Sequence, residues 1–401
     1  MRALRVLFLS CHLPYPPVSG GRLREHELLR RLADDVELHL CVVSKTYDED
    51  RAAAGALGGV CASVTVFPAE PDASGPNGGA PLQVRRHVSA GATEHVRELV
   101  SSGWVDLVHV EGFYLVQHVP DPSPLPLLLA EQNVEYLLWR QRMDTARAGR
   151  HRREHFLQYR TTREHELAAW RRSTMCAAVT EEDRAAMLRA APELDVRVVP
   201  DGADHLRPAA DSPSSDDRTI LLVANFAYEP NEDAAVFFVR EVLPAVRRRV
   251  PGARVLLVGN EPPPSVRALA SENVAVTGRV PSIEPYLDRA AVAVCPLRIG
   301  GGIKVKVLEA LCRGKALVST SVGVQGLGRE VGRCVAIADD APAFAAAVAH
   351  LLERPPARRR LEAAAARFSR LLPRWDESAN ALADCYRDLL SVPASRAIEV
   401  T

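Results

Sequence analysis

Pro296-Leu297-Arg298-Ile299-Gly300-Gly301-Gly302-Ile303-Lys304-Val305-Lys306-Val307-Leu308-Glu309-Ala310 follows an apolar run and leads straight into an apolar pattern of helical period. Three successive glycines let peptide N–H groups approach an anion closely, and the free N–H groups and dipole of the helix behind them point the same way. Lys306 and Glu309 stand three residues apart, so a cation suited to phosphate and a carboxylate suited to sugar hydroxyls project from neighbouring turns. The stretch reads as a seat for a nucleotide sugar. A plainer reading is a flexible loop before ordinary core packing, and the company the loop keeps favours the first.

The chain continues Leu311-Cys312-Arg313-Gly314-Lys315-Ala316-Leu317-Val318-Ser319-Thr320 and Gly323-Val324-Gln325-Gly326-Leu327, which is helix, glycine stop, buried strand and a second glycine loop. This succession resembles the donor-site signature of family 4 retaining glycosyltransferases of the GT-B type, in the branch with a Gly-Gly-Gly loop and a Lys two residues before Leu-Glu-Ala. The resemblance implies that Gly300, Gly301, Gly302, Ile303, Lys304, Lys306 and Glu309 bind the donor, with Lys306 and Arg298 supplying catalytic charge. It also implies that Arg279 and the backbone of Val280 line the base pocket, which leaves the identity of the base open. Two departures stand out. Relatives place an Arg and a Lys after the first strand of the second domain, where this chain reads Ala224-Asn225-Phe226-Ala227-Tyr228-Glu229-Pro230-Asn231-Glu232-Asp233. They also carry a second Glu in the loop, where this chain has Gly301.

At 401 residues the chain exceeds what one core usually organises, so two domains are expected. Fifty basic residues balance fifty acidic ones, so no global field points to nucleic acid. Eight cysteines are scattered without Cys-x-x-Cys spacing, which suits a reducing cytoplasm. Val6-Leu7-Phe8-Leu9 is too short for a secretory apolar segment, and no run approaches the roughly 18 residues of a membrane span.

Apolar runs at 6–10, 36–44, 64–67, 107–110, 127–130, 176–179 and 196–199, then 220–224, 255–259, 274–277, 292–296, 317–320 and 335–337, alternate with helical patterns. The expected fold is α/β, GT-B: two Rossmann-like domains facing a central cleft, with ligands at the carboxyl ends of the strands. The boundaries are 1–204 for an acceptor-binding domain, 205–374 for a nucleotide-sugar domain, and 375–401 for a terminal helix returning to the first domain. That helix would bury Leu382, Tyr386, Leu389 and Leu390. The stretch 208–218 reads as a linker and 72–80 as a surface loop.

Leu13-Pro14-Tyr15-Pro16-Pro17-Val18-Ser19-Gly20-Gly21-Arg22-Leu23-Arg24 repeats the strand, glycine turn and helix arrangement. By resemblance Gly20 and Gly21 face the donor pyrophosphate, with charge from Arg22 or Arg24. A tight turn needing positive φ would explain the glycines but not the arginines. Strand ends at Asp106-Leu107-Val108-His109-Val110-Glu111-Gly112 and Glu131-Gln132-Asn133-Val134-Glu135 supply His109, Glu111 and Asn133, which with Arg24 of the first glycine passage make the acceptor-side groups. Glu111 stands where many relatives carry His, so it either orients an acceptor hydroxyl or serves as a cap or ion-pair partner.

The implied reaction moves a glycosyl group from a nucleoside diphosphate sugar to a hydroxyl of a natural product, a polysaccharide precursor or a lipid-linked precursor, with retention. Fixed dipoles and cations would stabilise the departing diphosphate, with no metal and no cofactor. Asp48-Glu49-Asp50 has Asp-x-Asp spacing and is read as a solvated acidic turn. Ten Arg against four carboxylates between 140 and 172 would rest on a membrane surface, receive a phosphorylated acceptor, or remain a solvated face. Other readings are a GT-B sugar-nucleotide enzyme of another type, such as an epimerase, and a sugar-nucleotide-binding protein without turnover. Oligomeric state is not legible.

Overall fold

The structure, a computed structural model, describes residues 3–70, 79–146, 149–206 and 216–391. The chain divides into two compact units, Met1–Asp201 with Trp375–Thr401, and Gly202–Arg374.

The first unit carries β1 (Leu4–Ser10), β2 (Val36–Ser44), β3 (Ser63–Pro68), β4 (Leu107–Glu111), β5 (Leu127–Glu131), β6 (Met175–Ala178) and β7 (Val196–Val198). They form one parallel sheet in the order β3-β2-β1-β4-β5-β6-β7. Val6, Leu7, Phe8 and Leu9 are all buried because helices cover both faces, so a central parallel strand is apolar at consecutive positions. The order reverses between β1 and β4, which opens a crevice at their carboxyl ends.

The second unit repeats the plan with β8 (Asp216–Val223), β9 (Arg254–Val258), β10 (Val274–Gly278), β11 (Ala290–Cys295), β12 (Leu317–Ser319) and β13 (Ala336–Ile337), in the order β10-β9-β8-β11-β12-β13. Its reversal falls between β8 and β11, and the triglycine loop leaves the carboxyl end of β11.

Every apolar run became a strand, with differences confined to the ends. β8 begins at Asp216, inside the stretch read as a linker, because Asp216 is paired with Ala290 of β11 and accepts a hydrogen bond from Thr219 Oγ1 at 2.8 Å. Residues 208–215 of that linker and 72–78 of the surface loop lie outside the described residues.

The Trp375–Ser391 helix belongs to the first unit and packs on the Gly20–Leu32 helix, where Arg31 Nε donates to Asp376 Oδ1 at 2.5 Å. Trp375, Leu382, Tyr386 and Leu389 are buried. Leu390, expected on the same face, is 45% exposed, since one further residue carries it past the edge of the buried stripe. No helix among the described residues is long and apolar enough to cross a membrane.

Candidate functional site

Beyond β11 the chain crosses the triglycine loop and enters the Val305–Cys312 helix. Thr320 pins the start of the loop, its hydroxyl donating to Leu297 O at 2.5 Å while accepting from Gly323 N at 3.1 Å. Lys304 folds into the loop, donating to the carbonyls of Gly301 at 2.8 Å and Gly302 at 2.7 Å. Gly302 is left-handed at φ 59°, and a methyl added at Gly300 would press on Lys304 Cε at 3.0 Å. The glycines therefore shape a loop that closes around a lysine. The Lys304 charge points into the backbone, not outward to a phosphate.

The helix behind has no side-chain cap. Lys306, in its first turn, donates to Asn231 Oδ1 at 2.5 Å, and Asn231 in turn donates to Asn225 O at 2.7 Å. Burial pulls the Lys306 ammonium below its ordinary value, with Cys295 and Glu309 pulling the other way. A poorly hydrated cation beside an uncapped helix start offers strong attraction to an incoming anion. Glu309 lies one turn on and meets His205 Nε2 at 3.2 Å.

Arg298, assigned to the same charge, is held by a protein carboxylate: its Nε donates to Asp233 Oδ2 at 2.9 Å and its NH2 group reaches Oδ1. Its guanidinium lies 4.8 Å from the Phe237 ring centroid. The segment without a cation thus supplies an anion, and of the three cations only Lys306 avoids binding a backbone carbonyl or carboxylate. Arg279 is exposed just past β10, and Val280 is partly buried against the core.

In the first unit Gly20 and Gly21 are the opening residues of a helix, not a turn of positive φ, and Ser19 Oγ caps it by accepting from Arg22 N at 3.4 Å. A methyl at Gly21 would meet Gln132 Oε1 at 3.0 Å, so this glycine permits a close approach. Arg22 donates to Leu13 O at 2.8 Å and Asp50 Oδ1 at 3.0 Å. Asp50 is consequently no solvated turn residue: it is buried and also receives Leu13 N and Ser44 Oγ, at 3.1 and 2.7 Å. Arg24, placed on the acceptor side from sequence, is buried and bound to Asp201 Oδ1 at 2.6 Å and Val199 O at 2.8 Å.

The ends of β4 and β5 enclose a cavity of about 60 Å³ lined by Glu111, Tyr114, Glu131, Gln132, Asn133 and Glu135. Glu111 and Asn133 were expected there. His109 is fully buried behind Glu111, with Nδ1 2.7 Å from Tyr386 OH, Nε2 3.0 Å from Glu111 Oε1, and its ring on Phe8. Burial would push the Glu111 carboxyl up, but His109, Arg24 and Gln132 hold it below the usual carboxylate range. Glu131 accepts from Trp170 Nε1 at 3.0 Å, and burial pushes it well above that range; Glu135 rises for the same reason. Tyr114, Glu131, Gln132 and Glu135 were not singled out from sequence. All five residues 131–135 were quoted as a strand end and four of them line the cavity, but spacing does not say which side chains turn inward.

The basic segment forms the packed helices Glu135–Thr145 and Arg150–Arg172. Glu166 caps the first by accepting from Glu135 N and Tyr136 N at 2.8 and 2.9 Å. Arg142 lies over Trp139, and Arg172 donates to Val116 O, Val119 O and Pro120 O. Arg152, Arg153 and Arg160 are exposed around the half-exposed Phe156 and Leu157; Arg147 lies outside the described residues.

Residues 217–354, about a third of the chain, match the model of the family described as Glycosyl transferases group 1. An uncharacterized 44.6 kDa protein in the cps region of Klebsiella pneumoniae is 24% identical over 135 residues, which is 31% of this chain and only 35% of that relative. Sucrose-phosphate synthase from Thermosynechococcus elongatus superposes with a TM-score of 0.71 at 17% identity, covering 97% of this chain and 100% of its own. Anabaena HepE in complex with UDP-glucose gives 0.69 at 13% identity, covering 96% and 100%. The chain therefore has the GT-B fold over nearly its whole length, and its second unit carries the region that matches the glycosyl transferase group 1 model.

Proposed function

We infer that the protein is a retaining glycosyltransferase of the family 4 type, transferring a sugar from a nucleoside diphosphate sugar to a hydroxyl acceptor. One observation carries the reading: an uncapped helix start with a half-buried lysine in its first turn and a glutamate in its second, behind a triglycine loop at the carboxyl end of β11. The family match over 217–354 and the uridine nucleotide in the HepE structure support it and make UDP the first nucleotide to try.

The diphosphate would sit against the amide groups opening the Val305–Cys312 helix, with Lys306 turning from Asn231 to a phosphate oxygen. Glu309 would accept from a ribose hydroxyl. As the bond between sugar and diphosphate breaks, negative charge grows where Lys306 and the amides stand, so they stabilise the transition state more than the ground state. The acceptor hydroxyl attacks from the same face, its proton passing to the departing phosphate, and no metal or cofactor is needed. Glu111, kept ionised by His109, would orient that hydroxyl. A cytoplasmic setting suits these reactants, and the exposed arginines around Phe156 and Leu157 would rest on an anionic membrane if the acceptor is lipid-linked.

Thermal unfolding with UDP, GDP, ADP and dTDP is the test, because a ligand that binds only the folded state raises its midpoint. One diphosphate should raise it, and Lys306→Ala should abolish the rise. No rise with any of the four at millimolar concentration overturns the reading, as does a product of inverted anomeric configuration for the retaining assignment.

A further inference from the structure

Where β1 ends, Cys11 and His12 leave the sheet beside Glu25 of the Gly20–Leu32 helix. His12 Nδ1 is 3.2 Å from Cys11 Sγ. Its Nε2 is 3.1 Å from Glu25 Oε1, at ion-pair range though not aligned for a hydrogen bond. Glu25 is completely buried and fixed through its other oxygen by the Ser10 hydroxyl at 2.5 Å. The Tyr114 hydroxyl donates to Cys11 Sγ at 3.4 Å, and His87 stacks on Tyr114. Thiol, imidazole and carboxylate in that order form the arrangement that takes a proton from cysteine and keeps it.

We propose that Cys11, His12 and Glu25 form a thiolate–imidazolium centre at which a peroxide oxidises this protein. The donor reading uses none of these groups, so the two stand or fall separately. The Cys11 sulfur attacks one oxygen of hydrogen peroxide; an S–O bond forms and the O–O bond breaks. Sulfur is oxidised to a sulfenic acid, and the other oxygen leaves reduced as hydroxide, which takes the His12 proton and departs as water.

The titratable groups facing Cys11 come from five places: His12 beside it, Glu25 on the helix, His87 on the segment before Ser89, Tyr114 on the Phe113–His118 turn, and Glu135 on its own helix. Burial would push the Cys11 thiol up, but His12 and His87 outweigh it and hold the thiol well below its ordinary value. Burial would lower His12, yet Glu25 and Cys11 hold it well above. Glu25 is pushed up to about 7 by burial against the pull of His12. The seven other cysteines are free as well, and burial alone pushes Cys41 and Cys61 up to about 12, which makes them internal controls.

The native protein is treated with iodoacetamide from about pH 7 to about pH 8, where the Glu25 carboxylate is at least half ionised, and each thiol is followed by peptide mass spectrometry. Cys11 should react at least about tenfold faster than any other cysteine at the lower pH, with a rate almost independent of pH, and His12→Gln should restore the roughly tenfold climb per pH unit of an ordinary thiol. Under hydrogen peroxide, a sulfenic-acid trap such as dimedone should label Cys11 alone. A Cys11 rate in the wild-type protein that already climbs tenfold per unit, or a trap that labels other cysteines equally, overturns the proposal without any variant.

Discussion

Two strand, glycine and helix passages have the same outline in sequence and end differently in space. After β1, Ser19 caps the helix that Gly20 and Gly21 open, and Arg22 and Arg24 are tied to Asp50 and Asp201. After β11, no side chain caps the helix, and a half-buried lysine donates to an asparagine oxygen. The first helix start is satisfied by its own chain, and the second leaves attraction for a visitor. Glycine spacing alone marks a bend; what the neighbouring polar atoms already hold decides whether that bend binds anything.

Arg24→Ala should produce the largest change. It removes a buried guanidinium from Asp201 Oδ1 and Val199 O, a loss of about 3–5 kcal/mol of stability. All four tryptophans, at 104, 139, 170 and 375, belong to the first unit, so their fluorescence during urea unfolding reports that unit. An unchanged midpoint would return Arg24 to the list of ligand groups. Lys306→Ala comes next, with diphosphate binding weakened about 100-fold, near 3 kcal/mol for a lost charge-assisted contact, and no loss of folding stability, as titration calorimetry and melting would show. Equal weakening by Arg22→Ala would erase the contrast between the two helix starts. Ser19→Ala should cost about 1 kcal/mol of stability in the tryptophan signal and leave diphosphate affinity alone.

The smallest expected effect is one of pH, and its sign differs from group to group. Glu25, Glu131, Glu135 and Glu166 are raised by burial. Between their unfolded and folded values the folded state holds more protons, so these four carboxyls contribute stability that falls as pH rises, through about 7 for Glu25, while Cys11, His26, His95 and His118 of the same unit, held low, contribute the opposite sign. Lys306 is lowered by burial, so in the window below its ordinary value the unfolded state holds more protons and the second unit gains stability as pH rises. A Glu25→Gln variant whose tryptophan-reported midpoint changes with pH just as the wild-type midpoint does between about pH 5.5 and about pH 8 would contradict the first half of this account.

The strands were legible because a parallel strand covered on both faces must be apolar along its length, as 36–44 is in β2. The triglycine loop and the helix behind it were legible as a bend running into an apolar pattern of helical period, which forms the Val305–Cys312 helix, while the use of that bend as a donor seat belongs to the proposed function. Pairings between distant residues were not. Nothing local links Arg298 to Asp233, 65 positions away, or Lys306 to Asn231, 75 away, and Asp50 looks solvated until Arg22 and Leu13 arrive on it. The Cys11-His12 pair is adjacent in sequence, yet its meaning depends on a carboxylate that the helix delivers from Glu25.

The first unit is discontinuous, and the second is spliced into it with both its ends joined: Ala203 N donates to Pro373 O at 2.9 Å. During synthesis the inserted piece is therefore complete before its host, whose sheet waits for Trp375 and Tyr386 to emerge from the ribosome. A gene fragment for 202–374 should yield a separately soluble module, whereas a stop codon ahead of Trp375 should leave the earlier-made half unfinished.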